Sequence, residues 1–277
     1  MSDMLLYQTA DADRFFPMIS ATMQCNRAFC LRRGVRMEVF IGIRRGVHPW
    51  QATYNRLGML GDLLARDYNG WLIYLDADAF VPNPRFEIRK FLKEHADSAM
   101  IHPVGGGKGP WDVNAGVFLW NFARPETREV ARRWIAAFEQ VTDQQLRNAA
   151  DPVFLMNDQT MLHAVLRDAP ELTAGVALEA HDVIGYPHSR LIKQFVPNGQ
   201  QTLEERTARI VEAVEQARRR SGAAAAQGAD QVRRSAMALI DAPQDVLEAH
   251  LPRHEAAALG QAMAQLLRHH PVSDGFA

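Results

Sequence analysis

Trp71-Leu72-Ile73-Tyr74-Leu75-Asp76-Ala77-Asp78-Ala79-Phe80-Val81-Pro82 is the stretch on which the reading of this chain turns. Its apolar run 71–75 follows the turn signal Asn69-Gly70 and reads as a strand buried on both faces. Asp76 and Asp78 then stand at the strand's carboxyl end, the edge at which an open α/β sheet binds its ligands. Carboxylates spaced i and i+2 on an extended chain point the same way. Together they can grip Mg²⁺ or Mn²⁺, hard cations that favour carboxylate, phosphate and water oxygens. The plainer alternative makes one aspartate a turn cap and leaves the other solvated.

Upstream of this stretch, 4–9 reads as a short strand, and Phe15, Ile19, Met23, Asn26 and Cys30 recur at helical spacing. Alternation over 35–43 predicts a second strand. Past the break at Gly46 to Pro49, the residues Trp50, Tyr54, Leu57, Leu60 and Leu64 predict another helix. Alternating strands and helices imply an α/β domain with a mainly parallel sheet flanked by helices. Downstream, 98–102, 116–120 and 176–178 read as strands, with the Gly-rich loop 105–109 between the first two. Pro125 suits a first helical turn, and Val130, Trp134 and Phe138 form the stripe behind it. A further helix follows Asn157-Asp158.

Composition shifts after Asn198 to Ala, Arg, Gln and Glu, so the expected division is a catalytic domain 1–198 and a helical appendage 199–277. An alanine-rich hinge is expected at 222–228, a helix start at Asp241-Ala242-Pro243, and an apolar face at Leu259, Met263, Leu266 and Leu267. That face must bury against the core or another subunit, which leaves a homo-oligomer through these helices open.

The 277 residues carry a formal net charge of −1, which argues against a nucleic-acid partner. No apolar run approaches the roughly 18 to 20 residues of a transmembrane helix, and the first residues lack a signal-peptide core. A cytoplasmic protein is the simplest reading, with peripheral membrane association left open. Cys25 and Cys30 match no metal-ligand spacing and read as free thiols of a reducing compartment.

Two more segments carry chemistry. Asn114-Ala115-Gly116-Val117-Phe118-Leu119 pairs an amide that can both donate and accept hydrogen bonds with a glycine that lets backbone approach a ligand. Just before it, Trp111 offers a flat face that suits ligand stacking or core packing equally, and Asp112 a hydrogen-bond acceptor. Asn157-Asp158-Gln159 opens a helix, where an N-terminus can hold a carboxylate ionised, although either Asn157 or Asp158 would serve as a simple cap. The loop Gly105-Gly106-Gly107-Lys108-Gly109 lacks the Lys-Ser/Thr of a P-loop and suits a mobile loop beside the site.

In this order the three segments resemble the metal-binding D-x-D, the N-A-G strand and the D-Q helix start of GT-A glycosyltransferases. The nearest likeness is the retaining family of α-galactosyl-, α-mannosyl- and xylosyltransferases, over about residues 4–195. The resemblance implies a Rossmann-like GT-A fold and a metal-dependent glycosyltransferase. It would move a hexose or pentose from a UDP- or GDP-sugar to a saccharide or other hydroxyl acceptor, with retention. Asp76, Asp78 and His188 would then bind Mn²⁺ or Mg²⁺. Tyr7, Thr9, Arg56, Asp76, Asn114, Gly116 and Lys193 would meet the donor, with Tyr7, Gln8 and Thr9 facing its nucleoside. Asp158 and Gln159 would act at the reaction centre. His181 and Arg190 are weaker candidates from the same late segment. The alternatives are a haloacid-dehalogenase-like phosphatase, which also uses D-x-D, and a non-catalytic nucleotide-sugar-binding scaffold.

Overall fold

The computed structural model describes residues 3–151, 157–197, 199 and 201–240, with side chains as far as residue 222. Its centre is a six-stranded sheet in the order β2-β1-β3-β6-β5-β7. The strands are β1 (Met4–Ala10), β2 (Arg36–Ile41), β3 (Trp71–Asp76), β5 (Met100–Pro103), β6 (Val117–Asn121) and β7 (Val176–Glu179). β1 pairs in parallel with both β2 and β3, and β5 with β7. β6 runs against both its neighbours, β3 and β5. The sheet is therefore mostly parallel, as expected, with one reversed strand. A two-stranded ladder of β4 (Ala79–Phe80) and β8 (Lys193–Gln194) lies beyond the carboxyl end of β3.

Burial explains the composition of these strands. β1, β3 and β6 sit inside the sheet with helices on both faces and are apolar along nearly their whole length. β2 is an edge strand and mixes exposed and half-buried residues. One face of the sheet is covered by α2 (Asn55–Ala65), α4 (Pro125–Glu139) and α6 (Asp158–Arg167), with α2 packed on α4 and α4 on α6. Trp120, Trp134, Phe118 and Leu60 lie at the heart of that core. The other face takes α1 (Phe16–Arg33) and α3 (Ile88–Glu94), which bury Phe29, Phe91 and Leu92 against Leu6 and Ile73. α1 ends where Gly34 adopts φ 62, a left-handed conformation that strains any residue with a Cβ.

The expected single helix over 50–64 divides in two: a 3₁₀ turn, Pro49–Tyr54, precedes α2. The short helices α3, α5 (Asp143–Asn148) and α7 (Pro170–Thr173) and the two-residue strands β4 and β8 were not expected, being too short for a periodic pattern to register.

α8 (Leu203–Ile240) opens with a capping box in which Thr202 and Glu205 exchange hydrogen bonds. Its first turns bury Ile210, Val214 and Ala217 against Met18, Cys25, Phe80 and Phe195. The compact unit accordingly runs Met1–Arg218, further along the chain than the compositional break. The expected hinge over 222–228 is instead continuous helix, because alanine is the strongest helix former and outweighs the two flanking glycines. The expected helix start at 241–243 and the apolar face at 259–267 lie outside the described residues. Cys25 and Cys30 are buried free thiols, and burial pushes them up to about 11 and about 12. No helix of the described residues is long and apolar enough to cross a membrane.

Candidate active site

A cavity of about 430 Å³ opens beyond the carboxyl ends of β1 and β3. Thr9, Arg56, Asp76, Asp78, Asn114, Gly116, Asp158 and Gln159, widely separated in the chain, all line it. Two other grooves, of about 510 and 570 Å³, lie along α4 and α6 and along the start of α8 and hold none of these residues.

The D-x-D turn is held from beneath by buried amides and a hydroxyl. Gln8 Nε2 lies 2.9 Å from Thr22 Oγ1 and 3.2 Å from the carbonyls of Asp76 and Ala79. Thr22 donates to the Ala77 carbonyl, and Asn26 Nδ2 donates to Gln8 Oε1 while its Oδ1 receives the Val81 N–H. Gln8 is thus a fully buried brace of the D-x-D turn, and the expectation that it faces a nucleoside is corrected. Asn26, one of the helically spaced residues of α1, belongs to the same brace.

Arg56 is the keystone. Its side chain is only 2% exposed and lies over the Tyr74 ring with Cζ 4.7 Å from the centroid. Nη2 meets Asp76 Oδ1 at 2.7 Å, Nη1 donates to the Ala115 carbonyl, and Nε donates to the Thr53 carbonyl at 2.9 Å. Asp158 Oδ2 stands 3.0 Å from the same Nε. One guanidinium therefore binds all three chemical motifs to α2. Burial works against its charge, but Asp158 and then Asp76 more than offset this and hold Arg56 ionised.

Asn157 is the cap of α6, its Oδ1 receiving the Thr160 N–H at 2.9 Å. This leaves Asp158 free to turn inward, and Trp134 Nε1 fixes its carbonyl at 2.8 Å. Burial raises the Asp158 carboxyl above its ordinary value, and Arg56 pulls the other way. Its Oδ2 is buried and accepts no hydrogen bond, because the nearest N–H is directed at Thr53. Its partner there is the ion pair with Arg56.

The N-A-G turn is held by its neighbours. Asn114 Oδ1 receives the Gly116 N–H at 2.7 Å, and its Nδ2 donates to Gln194 Oε1 at 2.8 Å. Gln159 Oε1 receives the Ala115 N–H at 3.0 Å. A Cβ on Gly116 would come within 2.7 Å of Asp76 Oδ2 and 3.1 Å of Asn114 Oδ1, so only glycine admits this convergence. Behind it His102 lies between the Asn114 carbonyl, 3.2 Å from Nδ1, and Trp120 Nε1, 2.8 Å from Nε2. That pairing makes Nδ1 the protonated nitrogen, and burial lowers His102 to about 4.

Asp78 is almost wholly buried. Gln194 Nε2 lies 3.3 Å from its Oδ1, and Arg206 of α8 pairs with its Oδ2. Burial pushes Asp78 up to about 6 against the pull of Arg206. Two guanidiniums, Arg56 and Arg206, thus meet three carboxylates around the cavity, and one negative charge is left over. Asp76 Oδ2 takes no hydrogen bond from a described residue. On charge and donor chemistry Asp76 and Asp78 are the residues here that could hold a divalent cation.

Three expected site residues are not brought to the cavity. Tyr7 stacks on Tyr74 inside the core and points its hydroxyl at Arg44. Lys193 donates to the Pro187 carbonyl. His188 is exposed beside Tyr186, and no cluster of three or more His, Cys, Asp or Glu side chains forms among the described residues. In β8 the pairing with β4 turns Gln194 inward, and alternation turns the adjacent Lys193 away. The Gly-rich loop folds over Asp112, whose carboxylate receives the Lys108 N–H, and does not line the cavity either. Gln194 and Arg206 were missed: a lone glutamine and one arginine among many in a helix carry no local signal.

Neither a protein-family profile nor any curated protein matches the sequence. Solved structures do. The crystal structure of a glycosyltransferase involved in glycosylating the major capsid of the virus PBCV-1 superimposes with a TM-score of 0.56 and 11% identity, covering 75% of this chain and 98% of that one. Glycosyltransferase GlyE of Streptococcus pneumoniae gives a TM-score of 0.42 and 12% identity, covering 76% of this chain and 63% of that one. The first likeness establishes a shared fold.

Proposed function

We propose that this protein is a metal-dependent glycosyltransferase. On this reading it moves a hexose or pentose from a UDP- or GDP-sugar to a saccharide or other hydroxyl acceptor, with retention of anomeric configuration. The observation that carries the reading is the Arg56 clamp, which gathers Asp76, Ala115 and Asp158 around one cavity at the sheet's carboxyl edge. Ligands of open α/β sheets bind at that edge.

Each residue then has a task. Asp76 and Asp78 hold Mn²⁺ or Mg²⁺, which when bound neutralises the charge growing on the departing diphosphate. Thr9, at the end of β1, borders the donor. Asn114 offers its amide, and Gly116 its bare backbone, to the sugar. Asp158 lies near the anomeric carbon, where its fixed carboxylate stabilises the positive charge of the transition state. Gln159 keeps the N-A-G turn in register through the Ala115 N–H. The acceptor attacks the face that the diphosphate leaves, and a leaving-group phosphate oxygen takes the acceptor's proton.

The test is incubation with a panel of UDP- and GDP-sugars and Mn²⁺, following nucleoside diphosphate release and the anomeric proton of the first product by NMR. Release from at least one α-linked donor, with an α-linked product, is expected. No turnover of any donor would overturn the transferase reading, and a β-linked product would overturn retention.

A further inference from the structure

We propose that Arg206 and a divalent cation are alternative partners of Asp78. On this view the first turns of α8 close the cation site until the cation displaces the guanidinium. The inference deepens the functional reading above but rests only on its cation site.

Both oxygens of Asp78 already have donors, Gln194 on Oδ1 and Arg206 on Oδ2. The carboxylate is 4% exposed, so it cannot turn outward to gain a second ligand without leaving its pocket. A cation needs a carboxylate oxygen at about 2.0–2.6 Å. At that range it cannot share Oδ2 with a guanidinium, and the two positive charges repel beside a buried carboxylate. Asp76 alone offers one oxygen without a hydrogen bond, too few for a hard cation that favours several oxygen ligands. Occupation of the site therefore requires that Arg206 move.

Arg206 is tied to more than its own side chain. Nε donates to the Phe195 carbonyl at 2.5 Å, and the Phe195 N–H donates to the Asp78 carbonyl at 3.2 Å. Ile210, Val214 and Ala217 follow along the same helix and pack against Phe80 and Phe195. Moving the guanidinium therefore pulls on the seat of α8. The helix also has a reason to release it. Arg206 lies in the first turns of α8, at the positive end of the helix dipole, where a cation is unfavourable. Asp78 supplies the compensating charge. Arg206 is thus a positioning residue that keeps Asp78 buried and in place.

The decisive measurement is calorimetry of Mn²⁺ alone, with no nucleotide, on the full chain. Arg206→Gln should bind Mn²⁺ at least tenfold more tightly than the unchanged protein. Arg206→Lys, which keeps the charge but loses the planar fork, should fall between them. Asp78→Asn should lose the binding. Unchanged or weaker Mn²⁺ affinity in Arg206→Gln would overturn the proposal, as would undiminished binding in Asp78→Asn. Should Arg206→Gln fail to fold, hydrogen exchange of the unchanged protein decides. Mn²⁺ should speed exchange of amides 203–210, and unaltered exchange would sink the idea. Since no sugar donor is present, an absence of transferase activity leaves these outcomes readable.

Discussion

Arg56 and Asp158 meet in the interior with Nε and Oδ2 3.0 Å apart, and their side chains are 2% and 6% exposed. Arg56 comes from α2 and Asp158 from the first residue of α6, so the pair joins two helices that flank the cavity. The same guanidinium holds Asp76 at 2.7 Å. The geometry of the site is thus set by a charge from which water is excluded.

Removing that charge should be costly. Arg56→Gln leaves Asp76 and Asp158 facing each other uncompensated, and loss of one partner of a buried pair costs about 3–5 kcal/mol. The midpoint of urea unfolding should fall accordingly. Arg56→Lys should recover only part of the loss, because an ammonium cannot serve Asp76, Ala115 and Thr53 at once.

Asp158→Asn separates stability from chemistry. The amide keeps the shape, and Arg56 still has Asp76, so the protein should remain folded. On the proposed reading turnover should fall about 100-fold or more while donor affinity stays within a few-fold, since the lost interaction grows mainly in the transition state. Steady-state kinetics together with donor calorimetry check this. A matching loss of affinity would make Asp158 a binding residue instead.

His102 predicts a pH dependence. Its folded value is lowered to about 4 from an ordinary 6.5, so the unfolded chain binds the extra proton between those values. Its contribution is complete above about pH 6.5 and is lost as pH falls towards 4, amounting to about 2 kcal/mol between pH 7 and 5. Unfolding free energies at both pH values, for the unchanged protein and for His102→Asn, should differ in slope by that amount. An identical slope would remove His102 as the cause.

Truncation distinguishes the two ends of α8. A chain ending after Arg220 keeps Ile210, Val214, Ala217 and Arg206 and should retain the cooperative unfolding of the core. One ending after Gln200 loses these apolar side chains, worth about 4 kcal/mol or more at 1.5–3 kcal/mol for each large one, and exposes Phe80 and Phe195. It should melt markedly lower or aggregate. Thermal unfolding by circular dichroism measures both.

The apolar run 71–75, with carboxylates behind it, made β3 and its ligand edge legible, because burial on both faces demands uninterrupted apolar residues. The strand–helix alternation before it likewise announced a mainly parallel sheet. The motif residues Asp76, Asp78, Asn114, Gly116, Asp158 and Gln159 could be named in advance, since each pairs a reactive or permissive side chain with an element boundary. Their convergence on one cavity could not.

That convergence depends on residues whose local context is silent. Gln8, Thr22 and Asn26 look like interruptions of apolar patterns and prove to be the brace under the D-x-D turn. His188 and Lys193 were expected from the resemblance, but the β4–β8 ladder turns their neighbour Gln194 to the site instead. Arg206, one arginine among many in α8, reaches Asp78 across 128 residues of chain. Periodicity and turn chemistry are local, so the order of residues by itself determined the longer elements, the layer architecture and the edge where chemistry belongs. Which charges pair is a matter of desolvation and distance between segments far apart in the chain, and only the tertiary structure decided that Arg56 clamps Asp76 and Asp158 while Arg206 holds Asp78.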